Sequence, residues 1–318
     1  MAASVAPGDL RPVTTADAAE ILRVARAQDV GWWGEEDTDA DVVELQLRQA
    51  AAAAGSLHDG GRALPADREP GEADGDGDGH GDGGGRLRGV ALHVGHGETY
   101  LVVDPGGDDP EGALGALVGW LASTGATDVE SPPADEARRR ALADVGFRPV
   151  RSSFELVRSG PLDDLGPTRW PDGIVVAPFR PGVDEAEVHE LIYSVWLDVP
   201  GHVHRPLEEW RLLFVEPSLD RPELLVLARR DDGELAGASL CTTFGDVGWV
   251  SQLAVGRPGR GVGLGRALLV ESMHRLADVG ANRFGLGVEA VNESALGLYR
   301  SVGLAVDREY VHHGPPDA

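Results

Sequence analysis

The chain has 318 residues, enough for two domains of ordinary size, and its 42% apolar content is sufficient for a core in each. Asp and Glu number 53 against 28 basic residues, all of them arginine, leaving a net charge of −25 that argues against nucleic acids and anionic membranes as partners. A single cysteine, Cys241, excludes an intramolecular disulfide and a cysteine-rich metal site; it reads as a small buried hydrophobe in a reducing compartment.

Residues 10–13 read as a short strand. Thr14 or Thr15 then caps a helix reaching Ala27, with Ile21, Leu22, Val24 and Ala25 on its apolar side. A second helix is expected over 41–54. Residues 55–87 are dominated by Gly, Asp, Pro and Glu, and a disordered acidic insertion is expected over 59–87. Its Asp74, Asp76 and Asp78 imitate the start of a calcium loop, but the twelfth position is Gly85 where a bidentate glutamate is required, so calcium is not expected. Residues 89–94 and 99–103 form a hairpin, followed by a helix over 111–123, a short strand near Val129, a helix over 135–144 and a strand over 154–157. Residues 159–171, rich in Pro, Gly and Asp, read as a linker.

The second half repeats this order. A strand over 175–179 precedes helices over 184–195 and 206–214. Strands over 224–229 and 235–244 flank the turn Asp231-Asp232-Gly233. A strand over 249–255, a glycine loop, a helix to Val279, a strand over 284–288, a helix holding Tyr299 and a strand over 305–311 complete the chain. Leu101-Val102-Val103 matches Leu253-Ala254-Val255, and Ala143-Asp144-Val145-Gly146-Phe147 matches Arg300-Ser301-Val302-Gly303-Leu304. A duplicated α/β domain with a mixed sheet follows, with copies over 1–158 and 172–318.

The loop is the most informative stretch. Val255-Gly256-Arg257-Pro258-Gly259-Arg260-Gly261-Val262-Gly263-Leu264-Gly265-Arg266 joins a strand to an amphipathic helix. Glycines let successive N–H groups turn to one point, and the helix start adds unpaired N–H groups and a positive dipole end. Arg257, Arg260 and Arg266 add charge, so a phosphate or pyrophosphate is expected there. A P-loop is excluded because it needs a lysine, and the chain has none.

Arg260-Gly261-Val262-Gly263-Leu264-Gly265 resembles the pyrophosphate-binding signature Arg/Gln-x-x-Gly-x-Gly/Ala of the GNAT superfamily of acetyl-CoA-dependent N-acetyltransferases. The run from Asn292 to Leu304 resembles that family's second signature, Asn-x-x-Ala-x-x-Leu-Tyr-x-x-x-Gly-Phe, with Leu304 in place of the aromatic residue. The whole chain is similar to tandem members of the family.

The resemblance implies that residues 260–266 hold the pyrophosphate of acetyl-CoA. It implies that backbone groups around Leu253, Ala254 and Val255 bind the arm and receive charge from the thioester oxygen, and that Asn292 bonds the pantetheine. It makes Tyr299 the acid that protonates the departing thiolate. Many relatives have an acid beside the Leu-Ala-Val strand, where this chain has Ser251 and Gln252. Glu289 is the best-placed acid for a base, with His202 and His204 as other candidates. Trp196 and Trp210 are core residues or walls of an acceptor cleft.

The first copy has Asp104-Pro105-Gly106-Gly107-Asp108-Asp109-Pro110-Glu111 where the loop should stand, so it is expected to be degenerate. The implied reaction is transfer from acetyl-CoA to a primary amine of a small molecule by direct attack, without a metal. An amino-sugar–cysteine conjugate is one acceptor, and a CoA-binding protein without turnover is the alternative. Met1–Pro12 lacks the basic region and apolar run of a secretory leader, and no apolar stretch reaches roughly 18 residues. A cytoplasmic monomer or homodimer is expected.

Overall fold

The computed structural model describes residues 9–66, 85–196 and 204–316. The chain forms two compact units, one of Met1–Arg151 with Tyr310–Ala318 and one of Ser152–Glu309. Both contain mixed helix and sheet, as the alternation of patterns required.

In the first unit β1 (Arg11–Pro12), β2 (Gly61–Pro65), β3 (Leu87–Gly95) and β4 (Glu98–Val103) form an antiparallel sheet in that order. α1 (Ala18–Trp33), α2 (Ala40–Ala54) and the single turn α3 (Leu57–Gly60) precede β2; α4 (Pro110–Ser123) and α5 (Glu136–Asp144) follow β4. Side chains alternate across the sheet. Val90, Leu92 and Val102 pack on Ile21, Val24, Val43 and Leu47, whereas Ala91, Leu101 and Val103 pack on Leu114, Leu117, Leu121 and Leu142. β5 (Val129–Ser131) pairs antiparallel with Val311–His313 of β12 (Ala305–Gly314).

In the second unit β7 (Ile174–Pro178), β8 (Leu225–Arg230), β9 (Leu235–Phe244) and β10 (Val247–Val255) form an antiparallel meander. β11 (Arg283–Glu289) lies parallel to the start of β10 and antiparallel to Ser153–Ser159 of β6 (Arg148–Ser159). α8 (Leu264–Asp278) crosses between β10 and β11, as a parallel pair requires. It shares one core with α9 (Glu293–Arg300); α6 (Glu185–Trp196) and α7 (Leu207–Phe214) share another core with β8, β9 and β10.

Three stretches differ from the sequence reading. The expected insertion over 59–87 holds a strand: β2 pairs with both β1 and β3, and Ala63 and Leu64 are buried. Two apolar residues among Gly, Asp and Pro give no periodic signal, and β3 supplies the bonds that order them. The acidic run with Asp74, Asp76 and Asp78 lies outside the described residues. β6 is longer than the expected 154–157, because its polar first half carries no apolar run. The expected linker 159–171 belongs to the second unit: Leu162 packs with Leu156 and Phe284, and Arg158 bonds Val302 O at 2.7 Å, Pro161 O at 3.0 Å and the Asp164 carboxylate. Composition reports no such tethers.

The Ala66 N–H donates to Arg86 O at 2.8 Å, so the chain leaves and re-enters the sheet at one point. Replacing 67–84 by a short Gly/Ser turn is therefore expected to change unfolding free energy by less than about 1 kcal/mol, because closure entropy varies slowly with loop length. Urea unfolding of the shortened and parent chains checks this; a larger loss would make the segment part of the fold.

Candidate acetyl-CoA site

β10 is paired on both edges only at its start. Val247, Gly248 and Trp249 pair parallel with Arg283, Phe284 and Gly285. Beyond that point Leu286–Glu289 pair with Ser153–Leu156 alone, while β10 keeps only β9. The two parallel strands part, and a wedge opens between them.

A bulge sets which groups face the wedge. Val250 opposes Cys241 and Gln252 opposes Leu240, so Ser251 is the extra residue. One extra residue exchanges the two faces of the strand. Val250 accordingly packs with the α8–α9 core and Ala254 with the α6–α7 core. Gly256 donates to Ala236 O at 2.9 Å, which fixes the phase of the ladder. Ala254 therefore directs its backbone groups to β9, and Leu253 and Val255 direct theirs into the wedge. An open edge with alternating donors and acceptors accommodates an extended chain that carries amides.

The glycine loop closes the wide end. A single 3-10 turn, Arg257–Gly259, follows β10, and Gly263 caps α8. Gly261 and Gly263 have φ of +75° and +90°, a region that a Cβ disfavours. The first donor within α8 is Ala267, to Gly263 O at 3.1 Å. The N–H groups of residues 261–266 thus have no acceptor among the described residues, as a helix start leaves them. Arg257, Arg260 and Arg266 are exposed; Arg260 Nε reaches Val255 O at 3.3 Å, and none of the three has an ion-pair partner among the described residues. Six donors and three cations without a counter-charge among the described residues thus stand together at the mouth of the wedge, an arrangement with the electrostatics to receive an anion.

α9 lies against this loop, with Leu298 Cδ2 and Val255 Cγ2 both beside the bare α-carbon of Gly265. Asn292 caps α9, its Oδ1 accepting the Ala295 N–H at 3.1 Å, which leaves its amide NH2 for another partner. Tyr299 is 8% exposed among Leu269, Met273 and Leu296, and has no hydrogen-bond partner among the described residues. Burial pushes its phenol up to about 12, so the group is protonated at neutral pH. Glu289 ends β11 in the register position opposite Ser153, past the point where the strands part.

On the α6–α7 side the sequence reading missed the Trp210–Gln252 bond and the residues His189 and Tyr193. Gln252, beside the bulge, accepts the indole N–H of Trp210 at 2.8 Å, and both are buried. Trp210 is therefore a sealed core residue with its one donor satisfied, not a cleft wall. Trp196 packs partly buried against the same core. The exposed His204 lies with its ring 4.2 Å from that of Tyr193 and 5.6 Å from that of His189. His189 Nε2 is bonded to Arg205 O at 2.9 Å, and the Arg205 N–H to Tyr193 Oη at 3.0 Å. His202 lies outside the described residues. Partners 42 positions apart leave no local pattern, so no short window of sequence signals the Trp210–Gln252 bond.

Comparison with known proteins agrees with this architecture. The profile of the Acetyltransferase (GNAT) family matches residues 187–304. The mycothiol acetyltransferase of Kineococcus radiotolerans is 32% identical over 224 residues, which cover 67% of this chain and 71% of that one. The chain belongs to the GNAT acetyltransferase family.

Other relatives carry the same name. The mycothiol acetyltransferase of Thermomonospora curvata is 35% identical over 57% of this chain, and that of Catenulispora acidiphila 34% over 50%. The chain spans less than two thirds of those two relatives, 62% and 52% of their lengths. Among solved structures, a GCN5-related N-acetyltransferase from Sphaerobacter thermophilus superposes with a TM-score of 0.68 at 25% identity, covering 96% of this chain and 94% of that one. A tandem GNAT protein from the clavulanic acid biosynthesis pathway superposes with a TM-score of 0.63 at 14% identity, covering 96% and 97%, a likeness of fold.

Proposed function

We propose that the chain transfers the acetyl group of acetyl-CoA to a primary amine of a small-molecule acceptor from a single site in the second unit. The observation that carries this reading is the unpaired donor set of residues 261–266, with Arg257, Arg260 and Arg266, at the mouth of a wedge edged by Leu253 and Val255. The pyrophosphate sits on the donor set, and the pantetheine arm extends along the open edge with Asn292 beside it. Ala254 supports this edge from behind, with its methyl buried.

The amine lone pair attacks the thioester carbon. The carbonyl oxygen gains charge and is received by a backbone N–H of the β10 edge. The C–S bond then breaks, the thiolate takes the proton of Tyr299, and the nitrogen loses one to Glu289, directly or through water. An alkylammonium acceptor with a pKa of about 10.4 must first lose a proton, which costs about 4–5 kcal/mol at pH 7. This need explains why a base belongs to the reading.

The names of the relatives favour an acceptor of the mycothiol type, which we read as an amino-sugar–cysteine conjugate that carries an amine. A cytoplasmic location belongs to the same reading; no helix among the described residues is long and apolar enough to cross a membrane. The test is release of free CoA thiol from acetyl-CoA in the presence of a panel of amines that includes such a conjugate. Amine-dependent release is expected. Tight acetyl-CoA binding with no release for any amine would make the protein a CoA-binding regulator instead.

A further inference from the structure

The first unit has a wedge of its own. Glu98 at the start of β4 bridges Asp128 in parallel, after which β4 keeps only β3 and β5 pairs with β12. Asp104 donates to Arg88 O at 2.8 Å, so by alternation Leu101 and Val103 turn their backbone groups outward. In the repeat these are the positions of Leu253 and Val255.

Here the edge is filled from within. Gln28 of α1 accepts the Val103 N–H on its Oε1 at 3.0 Å. Arg138 of α5 donates from Nη2 to Leu101 O at 3.1 Å and to the same Gln28 Oε1 at 2.7 Å. The guanidinium also reaches Glu130 O at 3.3 Å and lies 4.5 Å from the ring centroid of Trp32. Arg138 is 2% exposed and Gln28 7%. The edge thus has a donor on its acceptor and an acceptor on its donor, the pairing that two amides of an extended arm would make.

The helix start beyond β4 is filled as well. Asp109 caps α4, its Oδ1 accepting the Gly112 N–H at 3.0 Å. Pro110 at the first helical position has no N–H. The Asp109 carboxylate lies so close over Gly112 that a Cβ there would meet its Oδ2 at 2.1 Å. Asp104, in turn, is paired with Arg23 at 2.7 Å and accepts the Gly106 N–H at 3.0 Å.

We infer that the first unit carries an internal substitute for the cofactor: the Asp109 carboxylate occupies the phosphate seat, and the Gln28–Arg138 pair occupies the pantetheine edge. This rests on the acetyl-CoA reading of the second unit. The first unit takes no acetyl-CoA, because entry of the arm would take two hydrogen-bond partners, Leu101 O and Gln28 Oε1, from a buried guanidinium and set phosphate against a carboxylate. The pair instead acts as a strut that holds the wedge of the first unit in its parted shape.

Amide hydrogen exchange on the full chain tests this. Without cofactor, the Val103 N–H is expected to exchange at least tenfold more slowly than the N–H groups of Leu253 and Val255. Saturating acetyl-CoA is expected to slow 253–266 and to leave 101–112 unchanged; added protection at 101–104 or 109–112, or a calorimetric stoichiometry of two, overturns the inference. Gln28→Leu removes the acceptor of Val103 and is expected to speed its exchange at least tenfold, while Gln28→Glu, which keeps an acceptor and pairs with Arg138, preserves protection. Unprotected Val103 in the unaltered protein refutes the strut even if Gln28→Leu fails to fold. These cofactor-free measurements stand if residues 253–266 fail to respond to acetyl-CoA, a failure that counts against the reading of the second unit alone.

Discussion

Gly263→Asp is expected to weaken acetyl-CoA binding by about 100-fold or more. Gly263 caps α8 with φ of +90°, in the middle of the unpaired donors. A carboxylate there caps the helix itself and faces the pyrophosphate. One like charge at about 5 Å with an effective dielectric of about 20 costs about 3 kcal/mol, which is that factor. Aspartate tolerates the left-handed region better than most residues, so the fold should survive. Titration calorimetry, with a thermal melt as control, decides. Affinity within a few-fold of the parent at unchanged stability would remove the pyrophosphate from this loop.

Tyr299→Phe is expected to lower kcat by about 10²–10⁴-fold, the usual value of positioned proton transfer, and to leave the KM for acetyl-CoA within a few-fold. The phenol is pushed up to about 12 by burial. A thiol has a pKa near 8.5, so transfer to a free thiolate is uphill by about 5 kcal/mol; the proton must therefore move as the C–S bond breaks and the sulfur gains charge. The raised value also fixes a pH signature. The phenol stays protonated through the neutral and moderately alkaline range, so the rate should show no alkaline decline from this group below about pH 11. Phenylalanine keeps the ring among Leu269, Met273 and Leu296. Near-parental turnover by the variant would assign the acid elsewhere. Joint loss of melting temperature and acetyl-CoA affinity would make Tyr299 a packing residue.

Much of the second unit is legible in the sequence because its signals are local. Gly261, Gly263 and Gly265 stand together at a strand–helix junction, so their conformation and the free N–H groups follow from a few adjacent residues. Asn292 and Gly303 bracket α9 in the same way, one as a cap and one with φ of +82°. The stretches whose structure departs from their local pattern are those ordered by distant partners. β2 has two buried side chains and takes its bonds from β1 and β3. Residues 159–171 look like a linker until Arg158 is seen to reach Val302.

What the sequence by itself determined is the run of unpaired N–H groups at the start of α8, the cap of α9, and the alternation of helices and strands, since each depends on residues within a turn or two of one another. What only the tertiary structure decided is which backbone groups are left open. The register of β9 against β10 skips Ser251, and that one residue turns Leu253 and Val255 toward the wedge and Ala254 away from it. Likewise, Leu101 and Val103 have the same local pattern as Leu253 and Val255, yet their edge is filled, because Gln28 and Arg138 reach it from helices 110 positions apart. Hydrogen-bond satisfaction is a property of the packed chain, and no window of sequence contains it.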